Sequence, residues 1–111
     1  MLSKAYRKLS YWRRSLGIEA QAVRIERISR MQVTNEEGKP GAGLVGIVVD
    51  TELNEAVIVT TRALRDDDVV HELTHLTNPE LDHPQVDRET SRLLVMRNSI
   101  YHGNGVKERE Y

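Results

Sequence analysis

The stretch "VVHELTHL" at residues 69–76 sets two histidines four apart, with a glutamate directly after the first, inside an apolar run. On a helix, imidazoles at i and i+4 project from one face, and such a pair chelates an ion such as Zn2+. At about 100° per residue, His75 lies about 40° from His71, and Glu72 flanks them at about 100°. Val69, Val70, Leu73 and Leu76 fall on the far side. The helix therefore has a back to bury and a front that carries His, His and Glu. The competing interpretation is a surface helix with two unrelated histidines, whose apolar back would look the same. Against it, the chain holds four histidines, and two of them take the one spacing that chelates.

A catalytic zinc site needs a third protein ligand. Downstream candidates are Asp82, His83, Asp87 and Glu89, while the positions three and six beyond His75 hold Asn78 and Leu81 rather than glycine and histidine. The next helix decides among them. Val86, Leu93, Met96 and Ile100 all fall within about 60° of Glu89, so Glu89 reads as a carboxylate inside an apolar stripe. Such a group is costly to bury unless it is paired or holds a metal. Asp87 falls about 160° away, beside Leu94. His83 precedes the helix within reach of a metal, but reads as a cap or surface residue. The expected ligands are thus His71, His75 and Glu89, with Arg62, Arg65 or Arg97 as alternative partners for the glutamate.

The elements that must position these residues are legible from pattern. One domain of 111 residues is expected, 39% hydrophobic and 30% charged, without an apolar run able to span a membrane. With no cysteine, thiolate zinc sites and disulfide scaffolds are excluded, and a cytoplasmic chain is expected. "MLSKAYRKLSYWRRSLG" (1–17) has Leu2, Ala5, Tyr6, Leu9, Trp12 and Leu16 at helical spacing, with Gly17 as a stop. "AVRIERISRMQV" (22–33) reads as a strand with a bulge or bend. "LVGIVVD" (44–50) and "EAVIVTT" (55–61) read as a hairpin. The HExxH helix follows, capped by Asp66 or a neighbouring aspartate and ended by "TNP". A second helix starts near Pro84, with Asp82 or His83 as its cap, and runs to Gly103. The polar tail spans 104–111. The fold class expected is α+β: an N-terminal helix, a small sheet of about three strands, then the two site helices.

"HELTH" followed by a glutamate on the next helix resembles the gluzincin zinc metallopeptidases, and the order of elements resembles the minimal gluzincins. "GIVVDTELNEAVIVTTRALRDDDVVHELTHL" followed by "ETSRLLVM" also resembles the ImmA/IrrE-type peptidases. The resemblance covers residues 44–100. It implies zinc held by His71, His75 and Glu89, and hydrolysis of a peptide or protein substrate by water, with Glu72 as general base. A donor for the oxyanion would then come from Tyr101 or His102.

Two further readings stay open. The chain could be latent, with His102 or a tail carboxylate filling the open zinc position. It could also be a small nucleic-acid or protein-binding module with a structural zinc. For the latter, residues 1–30 carry eight Lys or Arg against two Glu, and the remainder eight against fifteen acids. No nucleic-acid motif accompanies that charge.

Overall fold

The computed structural model describes residues 3–103, with side chains described as far as Arg97. Helix α1 (Lys4–Ser15) begins where the Ser3 hydroxyl accepts a hydrogen bond from the Tyr6 N–H at 3.2 Å. It stops before Gly17, whose φ of 73° is a left-handed conformation that glycine adopts at little cost. Its apolar face carries Leu9 and Trp12 into the core.

Strand β1 (Ala22–Arg27) is followed by a short 3-10 turn at Arg30–Gln32. The strand with a bulge or bend expected over 22–33 is therefore shorter: it ends at Arg27, and the bend falls outside the sheet. Ser29 and Gln32 bond reciprocally across the turn, so the chain leaves the sheet where the alternation of apolar residues slips. β2 (Val45–Asp50) and β3 (Glu55–Thr60) form the expected antiparallel hairpin. Asp50 accepts from the N–H groups of Glu52 and Leu53 in its turn. The sheet order is β1-β3-β2: β3 is central, β1 joins it in parallel, and β2 is an edge strand.

Helices α2 (Asp66–Thr77) and α3 (His83–Gly103) complete an α+β fold. The core is one cluster in which Ala56 and Ile58 of β3 and Val23 of β1 meet Val69, Val70 and Leu73 of α2 and Leu9 and Trp12 of α1. Of the expected caps for α2, Asp66 or a neighbouring aspartate, the neighbour serves. Asp68 takes that part, accepting from the Arg65 N–H at 2.8 Å, whereas Asp66 bonds Trp12 Nε1 and Arg97. Asp82 and Gln85 bond reciprocally at the start of α3, at 2.8 and 2.9 Å. No described helix is long and apolar enough to cross a membrane.

Candidate metal centre and its cleft

The front of α2 is as the helix arithmetic requires. Nε2 of His71 and Nε2 of His75 lie 3.1 Å apart. Two nitrogens on a tetrahedral zinc, with bonds of about 2.0–2.1 Å, are separated by about 3.3 Å, so the pair is set at nearly its chelating distance. The third member is His83, the first residue of α3. Its ring centroid is 4.8 Å from that of His75 and 5.8 Å from that of His71. One ligand atom from each of the three imidazoles lies within 4.8 Å of the others.

Asp87, one turn further along α3, stands beside His71. Its Oδ1 is 3.2 Å from His71 Nδ1. A carboxylate at this distance favours the tautomer with its proton on Nδ1, which leaves the Nε2 lone pair to ligate. Burial, and then the neighbouring His71 and His83, hold the pKa of His75 below its ordinary value, against the attraction of Asp87. The lowered pKa favours the neutral imidazole, the form that ligates. The donor set, three imidazoles with one carboxylate behind them, fits zinc.

Glu89 is not brought to this cluster. Its carboxylate is bidentate with Arg92, one turn along the same helix, at 2.8 and 2.5 Å, and that pairing lowers its pKa. The expectation of Glu89 as third ligand rested on a stripe centred between Val86 and Met96, but Met96 is 47% exposed. The buried side of α3 is instead Val86, Thr90, Leu93 and Leu94, with His83 and Asp87 on its exposed edge beside His71. That puts Glu89 on its flank. The sequence does hold a signal for the change: Arg92 at i+3 gives Glu89 a partner on its own helix.

Glu72 is buried, and with His71 it lines a cleft of about 720 Å³. Burial, with a further push from the Asp68 charge, raises its carboxyl pKa to about 7. Asp68 itself is held by Arg62 through two hydrogen bonds of 2.6 and 2.7 Å. The opposite wall of the cleft is Leu44 and Val45 at the start of the edge strand β2, and its α3 side is Asp87, Thr90, Ser91 and Leu94. The Thr90 hydroxyl is buried there without a hydrogen-bond partner among the described residues. The side chains of Tyr101 and His102, and the tail 104–111, lie outside the described residues. Comparison of the chain with protein-family models, with curated proteins and with solved structures gives no match.

Proposed function

We propose that the chain is a zinc-dependent hydrolase of peptide bonds, of the kind the HExxH resemblance implies, with His71, His75 and His83 as the metal ligands. The observation that carries this reading is the convergence of three imidazoles beside a cleft that also receives the buried carboxyl of Glu72. Zinc would supply Lewis-acid polarisation of a carbonyl and would acidify water to near neutrality.

The residues divide the remaining work. Asp87, 3.2 Å from His71 Nδ1, is the carboxylate placed to orient that ring and aim its Nε2. Glu72, with a pKa raised to about 7, takes a proton at its carboxylate and gives it up again near neutral pH, as a general base that later acts as an acid must do. Arg62 neutralises Asp68 next to it. The outer edge of β2, unpaired among the described residues and bordering the cleft at its start, offers N–H and C=O groups to an extended peptide.

Metal analysis of the purified chain tests the ligand set. About one zinc per chain is expected, lost in His71→Ala and in His83→Ala but kept in Glu89→Gln. Zinc retained by His83→Ala and lost by Glu89→Gln would return the third position to Glu89. Glu72→Gln should keep the metal and lose cleavage of a denatured protein substrate. Cleavage that survives that change rules out the mechanism.

A further inference from the structure

The charge on α1 is of one sign. The helix has no acidic residue, and Lys4, Arg7, Lys8, Arg13 and Arg14 give it five cations. Arg13 and Arg14 lie in the last turn, where the helix dipole favours positive charge, and Arg13 also donates to the carbonyls of Glu19 and Gln21 at 2.6 and 2.5 Å. Lys4 and Arg7 lie in the first turn, where the dipole opposes them. The helix dipole therefore does not favour their charge.

Their placement is ordered. Lys4, Arg7, Lys8, Tyr11, Arg14 and Ser15 fall within about 120° of the helix circumference, a stripe about 15 Å long. Leu9 and Trp12 lie outside it, in the core. Beside the stripe is a cleft of about 530 Å³ lined by Lys4, Arg7, Lys8, Tyr11, Arg97 and Asp66. Asp66, the acid on its wall, is engaged by Arg97. The Arg97 guanidinium also stands 5.4 Å from the Tyr11 ring centroid, and Tyr11 remains 41% exposed at the middle of the stripe.

We propose that this stripe binds single-stranded nucleic acid, with the α1 cations on successive phosphates and Tyr11 stacking a base. A line of cations around an exposed aromatic ring matches a chain that alternates phosphates with planar bases. An acidic peptide would satisfy the charges but leave the ring unused. A lipid surface needs the apolar face of an amphipathic helix, and that face of α1 is buried. The proposal does not depend on the metal centre, which lies on other elements.

The test is fluorescence anisotropy of a labelled oligo-dT of twelve nucleotides with the full chain, in EDTA so that no metal contributes. With about three phosphates engaged, raising salt from 50 to 200 mM should weaken binding about 20-fold. Neutralising Lys4 and Lys8 together should flatten that dependence. Tyr11→Ala should weaken binding about tenfold or more at each salt, while Tyr11→Phe, which keeps the ring, should not. Absence of binding at low salt would overturn the proposal. So would equal competition by polyglutamate, or a Tyr11→Ala protein that binds like the parent.

Discussion

A carboxyl group shielded from solvent, as Glu72 is, holds its proton more tightly in the folded chain than in the unfolded one. Between about pH 4.5 and about pH 7 the unfolded chain has released that proton while the folded chain keeps it, so stability falls as pH rises through this window and then levels. For the metal-free protein in EDTA, Glu72→Gln should therefore add about 2–3 kcal/mol at pH 8 and little at pH 4. Urea titrations at the two pH values measure it; equal effects at both would mean that Glu72 is not shielded. Asp87→Asn should lower zinc affinity about 10- to 100-fold, read by competition with a chromophoric chelator. At this scale the paired front of His71, Glu72 and His75 was legible, because a five-residue helical repeat fixes relative direction. The third imidazole was not. Choosing between His83 and Glu89 requires knowing where the buried face of α3 is centred, and Met96 misdirects that choice by being apolar yet exposed.

The elements depend on a few identifiable contacts. At the head of α2, Asp68 is a buried acid whose burial alone would raise its pKa. The Arg62 guanidinium and the Arg65 N–H outweigh that and hold it below its ordinary value. Here the sign is opposite to that of Glu72: the contribution is present above about pH 4 and lost as pH falls through the native carboxyl's own range. Asp68→Asn should cost about 1–3 kcal/mol at pH 7, and the gap to the parent should close towards pH 2. For α1, Leu9 at 1% exposure is the packing anchor beside Trp12. Leu9→Ala should cost about 2–5 kcal/mol and shift Trp12 emission to the red as the helix loosens. An unchanged emission and melting temperature would show that α1 does not depend on that contact. Both site helices and the hairpin could be read from periodicity and turn residues. The early end of β1 could not, because the Ser29 and Gln32 bonds that redirect the chain compete locally with a strand-like pattern.

Across the whole molecule, the basic first 30 residues face an acidic remainder, and the sheet is where the two parts join. The hairpin was evident from sequence, but nothing in "AVRIER" states that β1 lies parallel to β3 and on the side away from β2. That arrangement bears on the order of assembly. The hairpin and α2 form through neighbours close in sequence, whereas pairing Ala22 with Glu55 closes a loop of roughly thirty residues, whose entropy is lost before any contact compensates it. β1, and α1 with it, should therefore dock after the transition state. Val23→Ala should speed unfolding while leaving refolding nearly unchanged, and Ile58→Val, in the central strand, should slow refolding. The parallel strand thus sets a sequence in time: the half of the chain that carries the histidine cluster takes shape first, and the basic helix closes over it last.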